Sequence, residues 1–128
     1  MYENTESPLS VKSEAFSGRI VRMVKHLYNQ GDIHLASIYT QVLRSGTSIS
    51  ANIGESQFAQ SPADFITKLH IALKEANETR RWLNMLREGE CLTDRQHKSL
   101  SSDLNEVIAM LIDSLNTAKR NQSILIKQ

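Results

Sequence analysis

From Phe65 to Leu86, apolar and small residues recur at alternating spacings of four and three: Phe65, Leu69, Ala72, Ala76, Thr79, Leu83 and Leu86. An α-helix gathers such positions onto one face, because 3.6 residues per turn falls between the two spacings. A strand would scatter them over both sides. A stripe this long must be covered along its whole length, and other helices of similar length do that best. The stripe alone selects a helix bundle.

The rest of the chain supplies the partners. A first helix is predicted over residues 11–30, with Phe16, Ile20, Met23 and Leu27 on one face. Gly31 and Asp32 then offer a stop and a new cap. A second helix is predicted over 33–58, with a core of Leu35, Ile38, Val42, Ile49 and Ile53 and with Tyr39, Leu43 and Gly46 alongside. The third, over 62–88, opens at Ser61-Pro62-Ala63-Asp64. There serine caps, proline takes a first-turn position that needs no donor, and Asp64 reaches back. Gly89 closes it. Thr93-Asp94-Arg95-Gln96 is a second capping box and opens a fourth helix over 94–120, with Leu100, Leu104, Val107, Ile108, Leu111, Leu115 and Ala118 as its core. Residues 1–10 read as a flexible polar N-terminus and 121–128 as a tail with an apolar patch at 124–126. Short loops place consecutive helices side by side in opposite directions. The expectation is an all-α, antiparallel up-down four-helix bundle, one domain across residues 1–128.

Composition narrows the function. Hydrophobic residues make up 40% of 128, with 5 Gly and 2 Pro, so a packed core is feasible. The lone Cys91 excludes an internal disulfide framework and a multi-cysteine metal site. No apolar run reaches the length of a membrane span, and the opening residues lack the apolar core of a secretory signal. A cytoplasmic location without a membrane partner is therefore expected. A formal net charge of +1 sets the chain apart from strongly basic nucleic-acid binders, so any basic surface must be local.

Catalytic chemistry is not visible. Metal sites in bundles pair glutamate and histidine one turn apart on an inward face. None of His26, His34, His70 and His97 has such a partner, and each reads as a surface histidine. Gly-rich phosphate loops, nucleophile elbows and zinc spacings are missing. Cys91 reads as an inert loop thiol. No catalytic residue, metal or cofactor is expected, and the protein reads as a non-enzyme.

Two kinds of face are left over. Between Gly31 and Gln60 the only charged residues are Asp32, Arg44 and Glu55, and the back of the second helix carries Ser37, Arg44, Ser48, Ala51 and Glu55. Its two glycines, Gly46 and Gly54, each cost about 1 kcal/mol relative to alanine inside a helix, which close approach of another helix would offset. On the third helix, Ile71, Glu75, Glu78, Trp82 and Met85 share a flank away from the core stripe. Such a flank suits a self-association surface, with Glu75 and Glu78 receiving Arg44 of a neighbouring subunit. The alternative places Trp82 at the edge of its own core. Basic stripes run along the first helix (Lys12, Arg19, Arg22, Lys25, His26) and the third (His70, Lys74, Arg81). Arg19, Arg22, Lys25, Lys74 and Arg81 are the candidate RNA or DNA phosphate contacts. An ordinary solvated surface, with Lys74 paired to Glu78, is the alternative.

Residues 41–55, QVLRSGTSISANIGE, and the block from Phe65 through Ile71-Ala72 to Glu78 resemble a known signature. It is that of the bacterial four-helix bundle family named after proteins encoded in 23S rRNA intervening sequences, which includes the accessory variability determinant of diversity-generating retroelements. The resemblance implies a homopentameric ring of bundles, no enzymatic activity, and binding of structured RNA or DNA, or of a reverse transcriptase. A protein-interaction scaffold without direct nucleic-acid binding is the other function it allows. Arg44, Asn52, Glu55 and Glu78 fall on the family's polar positions and are read as structural or subunit contacts. Ser50 stands where the family often has proline.

Overall fold

The computed structural model describes residues 7–127 and contains four long helices, with no strand among those residues. Helix α1 (Pro8–Gln30) begins one turn earlier than the apolar pattern suggests. The Ser7 hydroxyl accepts from Ser10 N–H at 3.1 Å and Pro8 supplies a preset first turn, so the sequence around residues 7–10 caps the helix. Of the stretch expected to be flexible, residues 1–6 lie outside the described residues.

The second element also departs from expectation. Residues 33–58 do not form one helix. Asp32 caps a short 3-10 turn (Ile33–Leu35) by accepting from His34 N–H at 2.9 Å, and α2 runs Ala36–Ser56. Phe58 is left in the following turn, 87% exposed. Helix α3 (Pro62–Glu88) starts at the predicted cap, with Asp64 N–H donating to the Ser61 hydroxyl and the Asp64 carboxylate accepting from Gln60 N–H. Past Gly89 the chain turns through Glu90, which takes the left-handed backbone conformation at φ 63°. The amides of Cys91 and Leu92 fold back onto the Leu86 carbonyl. The Thr93–Gln96 box is reciprocal, at 2.9 and 3.1 Å.

Helix α4 (Asp94–Lys127) does not end near residue 120. Nothing between Asp94 and Lys127 is glycine or proline, so no residue breaks the helix, and the expected tail is its last two turns. Ile124 and Leu125 are exposed there, and Gln128 lies outside the described residues.

The helices pack in a ring, α1 on α2, α2 on α3, α3 on α4, with the α1–α4 seam the least closely packed. All four contribute to one core, which includes Phe16, Ile20, Tyr39, Val42, Ile49, Leu69, Leu83, Leu104 and Leu111, each nearly inaccessible. Tyr39 enters this core because its hydroxyl donates to the Asp32 carbonyl at 3.0 Å. Two seams carry buried hydroxyl pairs. Between α1 and α2, Ser17 Oγ donates to the Gly46 carbonyl at 2.7 Å and Ser50 Oγ donates to Ser17. Between α2 and α3, Thr79 Oγ1 donates to Ser45 Oγ at 2.8 Å. Every buried side-chain polar atom among the described residues has a partner, as burial demands.

The two glycines of α2 prove different. A Cβ on Gly46 would stand 2.7 Å from Ile20 Cγ2, so glycine lets α1 approach. A Cβ on Gly54 would meet nothing within 4 Å, so within this chain no neighbour explains that glycine.

Candidate functional site

The residues proposed for subunit contact meet across the α2–α3 groove of one chain. The Arg44 guanidinium reaches Glu75 at 2.9 Å and also pairs with Glu78. Trp82 Nε1 donates to Glu78 at 3.0 Å. That indole bond first, and Arg44 after it, hold the Glu78 carboxyl below the usual carboxylate range against the opposing effect of burial. So the carboxylates expected to receive an arginine from another subunit are occupied by the chain's own Arg44. Sequence spacing cannot show this, because the pairing depends on the register of α2 against α3. Trp82 packs on the rim of its own core, as the alternative had it.

The other polar residues of this shoulder are engaged locally. Ser48 Oγ donates back to the Arg44 carbonyl at 2.7 Å, and Asn52 Nδ2 to the Ser48 carbonyl at 2.8 Å. Glu55 pairs with Lys68 at 3.3 Å. Ile71 and Met85 are different: they stand 38% and 51% exposed on the same flank, apolar and uncovered in the isolated chain.

The five candidate phosphate contacts do not form one patch. Helices α1 and α3 are diagonal in the ring, so Arg19, Arg22 and Lys25 face away from Lys74 and Arg81. Arg19 is committed within the chain: it donates to Asp103 at 2.7 Å and to Ser99, strapping α1 to α4. Lys12 is likewise paired, with Glu106. Lys74 does not reach Glu78, which Arg44 holds. Arg22, Lys25, Lys74 and Arg81 are exposed, and among the described residues none makes an ion pair or side-chain hydrogen bond.

His97 corrects the reading of four surface histidines. It is half-buried between α3 and α4, with Nε2 2.8 Å from Asn84 Oδ1 and Nδ1 facing Arg87. Arginine can only donate, so Nδ1 accepts and Nε2–H donates to Asn84. Among the described residues no three His, Cys, Asp or Glu side chains are grouped to hold a metal ion, and no helix is long and apolar enough to cross a membrane.

An all-α bundle with an intrachain ion-pair shoulder and divided basic faces is the class of protein this geometry defines. The family model described as "23S rRNA-intervening sequence protein" matches residues 8–113, and the chain belongs to that family. It is similar to a crystal structure of a protein of unknown function from the S23 ribosomal protein family of Bacteroides thetaiotaomicron. The two share 47% identity over 84% of this chain and 97% of the other, with a TM-score of 0.80. No curated protein matches. The structural relative carries no assigned activity, and nothing in these likenesses points to an enzyme.

Proposed function

We propose that the protein is a non-enzymatic subunit of a homo-oligomeric ring, pentameric as the family resemblance implies, whose basic outer faces bind RNA or DNA. The observation that carries this reading is the set of exposed cations, Arg22, Lys25, Lys74 and Arg81, which form no contact ion pair among the described residues of a chain whose net charge is only +1. Such cations hold mobile counterions that a polyanion releases on binding. One chain presents them on two diagonal helices, so a single copy engages a strand weakly. Several copies side by side repeat each face and build a stronger field. The exposed Ile71 and Met85, flanking the Arg44–Glu78–Trp82 cluster, supply the apolar contact for assembly.

Fluorescence anisotropy with a labelled structured RNA and with duplex DNA tests the reading. Binding should weaken steeply between 50 and 200 mM salt, roughly as many-phosphate contacts do. Lys25→Glu with Arg81→Glu should remove it while the helical circular dichroism stays unchanged. Absence of binding by the assembled protein at low salt would overturn the proposal. The oligomeric part is tested separately by light scattering.

A further inference from the structure

Helix α1 extends past the start of α4, and the α3–α4 loop folds under the step between them. The step holds an open groove of about 450 Å³. Three arginines, Arg19, Arg22 and Arg95, line it with His26, and no acidic residue does. Leu27 and Leu92 belong to its apolar lining. Ligand pockets for small molecules begin at about 300 Å³, so a compact organic anion fits.

We propose that this step binds a phosphate monoester, the group shared by a free nucleotide and by the 5′ end of a nucleic-acid strand. The arginines divide into two kinds. Arg19 is fixed by Asp103 and by the Ser99 carbonyl and hydroxyl, so it arrives pre-oriented and largely neutralised. Arg22 and Arg95 make no ion pair or side-chain hydrogen bond among the described residues, yet they share one groove. Arg22 and Arg95 line the same groove without an acidic counter-charge, so an anion that enters it is attracted by both. Each offers a planar fork of donors that matches phosphate oxygens. A monoester near neutral pH carries roughly −1.5 to −2 charges, which match two free arginines, whereas an internal diester carries one. The leucines beside them give the organic part of the ester a dry wall. In the first turn of α4 the Thr93–Gln96 box occupies the amides of Thr93 and Gln96.

The site shares Arg22 with the nucleic-acid reading but does not depend on it, since a free monophosphate needs neither the ring nor the α3 cations. Calorimetric titration with adenosine 5′-monophosphate, with adenosine and with inorganic phosphate tests it directly. The nucleotide should bind saturably and adenosine should not. Arg95→Ala and Arg22→Ala should each weaken the nucleotide at least tenfold with unchanged circular dichroism. Matched oligonucleotides with a 5′-phosphate or a 5′-hydroxyl separate the sources. Tighter binding of the phosphorylated strand assigns the site to strand ends, and equal binding assigns it to the free nucleotide. Failure of the nucleotide to bind saturably at low salt, or binding indifferent to Arg95→Ala, would overturn the proposal. Absence of long-RNA binding by the parent protein at low salt, with saturable nucleotide binding intact, would remove the surface reading and leave this one standing.

Discussion

The surroundings of His97 favour its neutral form. Burial, and after it the Arg87 guanidinium, push its pKa below the ordinary value, with Asp94 opposing weakly. Protonating Nδ1 would set one N–H against another from Arg87. A base whose folded pKa is lowered binds fewer protons folded than unfolded, so its contribution to stability is complete above the ordinary histidine pKa of about 6.5 and is lost as pH falls below it. Urea midpoints measured from pH 8 to pH 5 should therefore decline through the lower half of that range. His97→Gln, which can still donate to Asn84, should flatten the decline. Equal slopes for the two proteins would contradict the assignment. Arg44 is a contrasting case. Its side chain is 47% exposed, so its two ion pairs contribute no more than about 1 kcal/mol to the fold.

At the scale of elements, the glycines of α2 give opposite expectations. Gly46→Ala drives a methyl into Ile20 on the facing helix and should destabilise the bundle by about 1–3 kcal/mol, as overpacking does. Gly54→Ala meets open space and should stabilise the isolated bundle by about 0.4–1 kcal/mol through the unfolded chain. Thermal melts of both variants check the pair. The loop after α3 offers a further gain. Glu90 holds a left-handed conformation that costs a side chain roughly 1–2 kcal/mol, so Glu90→Gly should raise the melting temperature. Both capping boxes were legible in the sequence, because a cap is a contact between residues three apart. The start of α1 was not, since the apolar stripe that located it begins a turn inside the helix. The pairing of Arg44 with Glu75 and Glu78 was also hidden. Those residues lie 31 and 34 positions apart, and only the packed α2–α3 register brings them together.

For the whole molecule, the apolar shoulder sets the assembly prediction. Ile71→Asp with Met85→Asp changes residues 38% and 51% exposed, so the bundle should melt within about 0.5 kcal/mol of the parent, as surface substitutions do. In light scattering the same variant should have the mass of one chain, below that of the ring proposed above. A variant that stays assembled would move the interface elsewhere. Fold class was readable because every helix repeats one apolar period. The surfaces were only half readable, since a stripe of cations gives no sign of which members the chain will neutralise itself, as it does Arg19.

Leucine stripes tolerate sliding: shifted by a turn, apolar side chains find other apolar side chains. The hydroxyl contacts on either side of α2 do not. Moving α1 along α2 separates Ser17 from Gly46 and Ser50, and moving α3 separates Thr79 from Ser45. Each hydroxyl stranded in the core costs about 1–3 kcal/mol. The serine-rich helix thus acts as the bundle's ruler. It rejects out-of-step isomers that hydrophobic burial alone would accept.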